Sequence, residues 1–301
     1  MKARFLALFL LPVALLASCR QEEPEVPVDI PEEIAAPADS VWTITIQATK
    51  EDTQTKALDL VNDGARLNAY WRSTERVKVY KDGALIGTLD VMPGSGEKPV
   101  SATLSGTITT AGLSAGNELT LRIPNEYWDY TAQLGTLADI ESNYDYATAT
   151  VTIDSVDELN YTVTTTDVAT FVNEQSVYRF GFKVSEVYID PKSFTISASN
   201  GLLVTERTLS GSAWASAFGA IGVTPASAPG DHFYYVALRN ESTAEDTYSF
   251  IITGSDDALY MATKVIPASV LAVPGKFISA KSVSAVQPDF SPVEGSTNTA
   301  L

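Results

Sequence analysis

From Val41 onward the chain is written in short runs that alternate apolar and polar residues, divided by Gly, Pro, Asn and Asp. Val41-Trp42-Thr43-Ile44-Thr45-Ile46-Gln47-Ala48 sets the pattern, with every second side chain large and apolar up to Ala48. A period of two puts one face against a core and the other in water, which is the mark of a half-buried strand. Residues 77–80 and 85–89 read as a hairpin around the Asp82-Gly83 turn, a dipeptide suited to tight hairpins. Further strands are predicted at 101–108, 118–123, 147–153 and 161–165. A second series follows at 178–184, 187–189, 193–199, 202–209, 232–238, 247–252, 259–264 and 276–286. These runs are rich in Val, Ile, Thr, Tyr and Phe, as strands are. Only 134–141 and 267–271 read as helical. The prediction is an all-β chain of two antiparallel β-sandwich domains in tandem with few short helices. Polar Thr164-Thr165-Thr166-Asp167 marks the expected seam, giving domains 41–166 and 167–287 and a polar C-terminal tail, 288–301.

Composition removes whole classes of function. Lys and Arg number 20 against 37 Asp and Glu, for a net charge of −17. That field repels phosphate backbones and argues against nucleic acid as a partner. One Cys and one His leave no means to build a Cys/His zinc site or a disulfide framework. His232 opens a strand run, no Gly-x-Ser-x-Gly elbow occurs, and 93–99 has Gly and Lys at the wrong spacing for a phosphate loop. Acidic pairs such as Asp256-Asp257 arise by chance in so acidic a chain. We expect no enzyme, no metal and no cofactor.

The N-terminus reads as an address. Lys2 and Arg4 precede the apolar stretch 5–17, too short to span a bilayer and suited to a secretory signal. Leu16-Ala17-Ser18-Cys19 resembles a bacterial lipobox, which implies a signal peptide over 1–18 and lipid on Cys19. Acyl chains bury many methylenes at about 0.8 kcal/mol each, enough to moor a protein without a spanning helix. Residues 19–40 then carry Pro24, Pro27, Pro31 and Pro37 among many acids, an extended tether. Gln21-Glu22-Glu23 is similar to the surface-export signal of some Gram-negative lipoproteins.

One aromatic cluster, Tyr127-Trp128-Asp129-Tyr130 with Tyr144 and Tyr146, is open to two readings. Flat rings stack on the C–H faces of sugars, and they also fill cores.

Motifs in a fixed order carry a family resemblance. Lys50-Glu51-Asp52-Thr53-Gln54-Thr55-Lys56-Ala57 follows the first strand, and Trp71-Arg72-Ser73-Thr74-Glu75-Arg76-Val77 follows that. Gly135-Thr136-Leu137-Ala138-Asp139-Ile140, Tyr144-Asp145-Tyr146-Ala147, Phe171-Val172-Asn173, Tyr178-Arg179-Phe180 and Pro274-Gly275-Lys276 come later. With the lipobox, the chain resembles the fimbrillin family, the type V pilins and related surface lipoproteins, over roughly 41–286. The resemblance implies two transthyretin-like sandwiches and a precursor carried to the cell surface, moored in the outer membrane through Cys19 and released into fimbriae. It implies that a trypsin-like protease cuts behind the first strand, after Lys50, Lys56 or Arg66. Loss of 41–48 then opens a groove that a neighbouring subunit fills by strand exchange, the donor coming from 276–301. The implied role is a structural subunit or adhesin of a fimbria (a type V pilus), with other fimbrial subunits and a host protein or glycan receptor as partners. The alternative is a surface glycan-binding lipoprotein of a nutrient-uptake system that stacks sugars on Tyr127, Trp128 and Tyr130.

Overall fold

Alternation sets the register of the first strand. In β1 (Ser40–Lys50) the side chains of Trp42, Ile44, Ile46 and Ala48 point into a core, while Val41, Thr43, Thr45 and Gln47 face outward. The computed structural model describes residues 39–50, 59–61, 66–123, 127–210, 213–271, 274–279 and 283–286, all within one compact unit, Pro37–Leu301. After β1 come β2 (Asp59–Val61), β3 (Arg66–Asn68), β4 (Arg76–Lys81), β5 (Ala84–Pro93), β6 (Ser101–Thr110) and β7 (Glu118–Ile123). Then follow β8 (Tyr127–Asp129), the helical turn α1 (Leu137–Asp139), β9 (Ala147–Asp157), β10 (Thr162–Thr165) and β11 (Ala169–Asn173). Eight of these strands form one sheet in the order β10-β1-β11-β9-β7-β4-β5-β6. Extra β10–β9 and β1–β6 pairings close it into a ring, so no strand of it keeps a free edge. The predicted hairpin is present: Asp82 and Gly83 both take positive φ, +50° and +82°, between β4 and β5. β1, β6, β5, β4, β7 and β9 together enclose a core that includes Trp71, Val79, Leu104, Leu121, Val151 and Phe171.

The remaining strands are β12 (Ser176–Phe180), β13 (Phe182–Val184), β14 (Val187–Ile189), β15 (Pro191–Ala198), β16 (Val204–Ser210) and β17 (Ala213–Phe218). They continue with β18 (Ile221–Val223), β19 (Tyr234–Leu238), β20 (Asp246–Gly254), β21 (Leu259–Ile266), the turn α2 (Ala268–Leu271), β22 (Phe277–Ser279) and β23 (Val283–Val286). Three sheets, β19-β12-β22, β14-β13-β23-β21-β20-β15-β18 and β17-β16-β8, surround a second core rich in Tyr and Phe. The run predicted as one strand over 178–184 is two, because the chain passes between sheets at Gly181. A Cβ there would lie 3.0 Å from the rings of Phe233 and Tyr188. The run 276–286 divides in the same way, and β22 and β23 pair in parallel with β12 and β13. Antiparallel pairing dominates, yet β1 also runs parallel to both β10 and β11.

The cores do not part at residue 166. Phe171 on β11 belongs to the first, and Trp128, Tyr130, Ile140, Tyr144 and Tyr146 leave the first series to pack into the second. β11 pairs back onto β1 and β9 after the polar stretch 164–167, which keeps 169–173 with the first core.

Loops of the second core are fixed by Asp246. Its Oδ1 accepts hydrogen bonds from Ser199 Oγ at 2.7 Å, Thr247 N at 2.8 Å and Asn200 N at 3.2 Å, and its Oδ2 from Asn240 Nδ2 at 2.9 Å. Burial works against the charged form, but these bonds outweigh it and hold the carboxyl below its ordinary value. Stability from this group is therefore full above the unfolded aspartate pKa, about 3.9, and is lost as pH falls through the lower folded value. Asp246→Ala is expected to cost about 3 kcal/mol in urea unfolding at neutral pH. Asp246→Asn is expected to flatten the loss of stability below about pH 4.

Candidate functional site

β1 is the strand on which the ring depends. Trp42, Ile44, Ile46 and Ala48 are each no more than 6% exposed. Burying side chains of this size contributes roughly 1.5–3 kcal/mol each for the three large ones. On one side β1 pairs antiparallel with β6 in an unbroken register from Ser40↔Thr110 to Thr49↔Ser101. On the other, Ile44 pairs with Val163 of β10 and Ala48 with Ala169 of β11. Taking β1 away would leave β6 facing β10 and β11 across a gap with unpaired N–H and C=O groups on both rims. The floor of that gap would be apolar, lined by residues such as Leu104, Val163 and Phe171.

The inward phase of β1 runs one step beyond the apolar residues, so Lys50 also points into the protein. Its Nζ lies 3.0 Å from Glu75 Oε1, donates to the Tyr70 carbonyl at 2.9 Å and sits 4.2 Å from the centre of the Trp71 ring. Both side chains of the ion pair are almost wholly buried, at 0% and 3% exposure. Glu75 Oε2 accepts from the Arg72 amide at 2.9 Å, which fixes the carboxylate in the turn before β4. The end of β1 is thus bolted to the 70–75 segment. The in-phase position of Lys50, two residues after Ala48, was the sequence signal for this burial.

That burial encloses one of the three basic residues named as candidates for the cut. A protease that reads a basic side chain must take the ammonium into its own pocket, and this one is enclosed while β1 stays in place. Arg66 begins β3, which pairs with β2 from Asp59↔Asn68 to Val61↔Arg66. Lys56 and the lipidation candidate Cys19 lie outside the described residues, as does most of the C-terminal donor region after Val286.

The aromatic cluster belongs to the core. Trp128 and Tyr130 are 0% exposed, in keeping with the core-filling reading of the two, and neither presents a face to a sugar. Trp128 lies 4.0 Å from Trp214 and stacks on Tyr146 at 5.4 Å, centroid to centroid. Burial pushes the Tyr130 and Tyr146 hydroxyls well above the ordinary tyrosine range. Tyr127 alone is half exposed, because β8 turns alternate residues in and out.

Beside this cluster lies an ionic group that the sequence reading did not find. Glu174, in the turn between β11 and β12, accepts from Arg207 at 3.2 Å, Arg239 at 2.5 Å and the Thr148 hydroxyl of β9 at 2.7 Å. Burial, and then the neighbouring Arg239 charge, lower the Arg207 pKa. Its members are scattered over 148–241, so no local spacing announced it. The group ties the ring to the second core, and its Arg239 and Glu241 also line a surface cleft with Ser176, Tyr178 and Asn240. His232 Nδ1 lies 2.9 Å from Asp190 Oδ1 and its ring stacks on Tyr188, with no nucleophile in the contact. Among the described residues no group of three His, Cys, Asp or Glu side chains could hold a metal ion, and no helix is long and apolar enough to cross a membrane.

No protein-family model matches the chain, and no curated protein does. Among solved structures, it is similar to a Bacteroides ovatus protein provisionally described as a cell adhesion protein. That match has 12% identity and a TM-score of 0.41, covering 83% of this chain and 97% of the other. A fimbrial assembly protein from Parabacteroides distasonis matches at 9% identity and a TM-score of 0.40, covering 80% and 90%. The C-terminally truncated tip fimbrial protein of Porphyromonas gingivalis matches at 9% identity and 0.38, covering 74% and 81%.

Proposed function

We propose that this chain is a structural or adhesive subunit of a surface fimbria, held in a precursor form by its own β1. The observation that carries the reading is the place of β1 in the ring. One terminal strand supplies an unbroken row of apolar side chains and closes the sheet on both sides. Cleavage behind it would convert a closed barrel into an acceptor groove while leaving the other strands of the ring in place. An extended segment from a neighbouring subunit, with apolar residues at alternate positions, would restore the same pairings by β-augmentation. Each subunit then fills the next, and a head-to-tail contact of this kind builds an open filament. Lipid on Cys19 moors the precursor at the outer membrane, and the acidic tether holds the folded part away from it.

The buried Lys50–Glu75 pair refines the order of events. With Lys50 enclosed, the first cut falls later in the chain, after Lys56 or Arg66. The N-terminal residue of the protein recovered from intact cells tests this. Ala57 or Leu67 is expected in assembled material. Lipidated Cys19 on every assembled copy would overturn the maturation step, and Glu51 would overturn the guarded state of Lys50.

A further inference from the structure

Among the described residues the fold closes, shortens or plugs its sheet edges with one exception. The first sheet is a ring. Edge strands β14, β18, β22 and β8 are three residues long each. The edge of β19 is plugged by Gln133: its side-chain Nε2 donates to the Ala237 carbonyl at 2.7 Å, and its Oε1 accepts from the Ala237 amide at 2.8 Å. The Gln133 backbone covers β18 too, through bonds to Gly222 and Thr224. These are the devices by which proteins stop edge strands from pairing with other chains.

β17 carries none of them. It is six residues long, Ala213-Trp214-Ala215-Ser216-Ala217-Phe218, and pairs only with β16 among the described residues. It has no charge and no proline in a chain of net charge −17. Ala213, Ala215 and Ala217 share one exposed face, a low shelf that lets another backbone come close. The strand is also held rigid from behind. Trp214 packs on Trp128, and the guanidinium groups of Arg207 and Arg122 lie 4.8 and 5.1 Å from its ring. A rigid edge loses little conformational freedom when it accepts a partner strand.

We propose that β17 is a docking edge for a second copy of this chain, the two strands pairing antiparallel across a two-fold axis. Self-complementarity argues for that occupant. Antiparallel pairing of like strands sets alanine beside alanine on the exposed face, and two strongly acidic molecules meet here at a strand that carries no charge of either. Such a contact is isologous and closes at two copies. It is separate from the groove left by β1 and joins subunits side by side, whether or not β1 is ever removed.

Sedimentation of the full chain, at roughly 1 to 100 µM and about 0.5 M salt to screen repulsion, tests the proposal. The chain is expected to pass from monomer to dimer over this range. A215E/A217E, with both substitutions on exposed positions, is expected to weaken dimerisation at least about tenfold through facing like charges. A215K/A217K should behave the same way, and an equimolar mixture of the two variants should dimerise. Circular dichroism matching the parent shows that each variant is folded. A strictly monomeric parent overturns the proposal, as does a dimer indifferent to both variants or a mixture that fails to associate.

Discussion

Glu75→Ala is expected to destabilise the folded chain by about 3–5 kcal/mol, because it leaves the Lys50 ammonium buried without its counter-charge. The remaining contacts, the Tyr70 carbonyl and the Trp71 face, replace only part of the lost carboxylate. The Arg72 amide loses its acceptor as well. A double replacement, Lys50→Met with Glu75→Leu, removes both charges and keeps apolar volume. It is expected to return stability to within about 1–2 kcal/mol of the parent, since buried pairs contribute little net stability relative to apolar packing. Denaturant unfolding followed by tryptophan fluorescence measures both. A small loss for Glu75→Ala would mean that Lys50 reaches solvent easily and that the guarded state of the first basic site is wrong. The double variant has a second consequence: with no lysine at the end of β1, trypsin loses that site while 56 and 66 remain.

Ile44→Asp is expected to have the largest effect of any single change in β1. Ile44 is wholly buried, pairs with Gly106 on one side and Val163 on the other, and sits at the middle of the row. An unpaired carboxylate there costs more than about 4 kcal/mol. The cheapest relief is for β1 to leave the ring while its other strands hold. The expected result is a chain with most of its β-sheet circular dichroism intact, rapid trypsin cleavage now including Lys50, and a tendency to associate without any protease. Global loss of structure at neutral pH would instead mean that the ring cannot stand without β1, and the vacancy needed for strand exchange would not exist.

Much of the fold was legible because period-two alternation is a local signal. β1, the hairpin turning at Asp82-Gly83, and β20 with β21 all announce themselves in a few residues. What was not legible depends on contacts distant in sequence. β17 is mostly alanine and serine, residues with weak strand preference, and only its ladder with β16 makes it a strand. The excursion of 127–146 into the second core shows in no periodicity, because Trp128, Tyr130 and Tyr146 are as apolar as residues of either core. Their burial was one of two readings in the sequence, and packing against Trp214 decided it. Lys50 stood as a cut site only through the family resemblance, and lysine is rarely buried. The strand phase that puts it inside was present, but Glu75, its partner, is 25 residues away in sequence.

The account rests on β1 being a plug that can be withdrawn from a frame able to receive another. Limited trypsin digestion of the lipid-free chain, with the N-terminus and the sedimentation profile read from the same samples, tests this most directly. The account predicts that a new N-terminus at Ala57 or Leu67 appears together with a ladder of oligomers larger than a dimer, each digested copy filling the groove of the next. Quantitative cleavage at either position, with β1 lost and the product still a folded monomer, would contradict it.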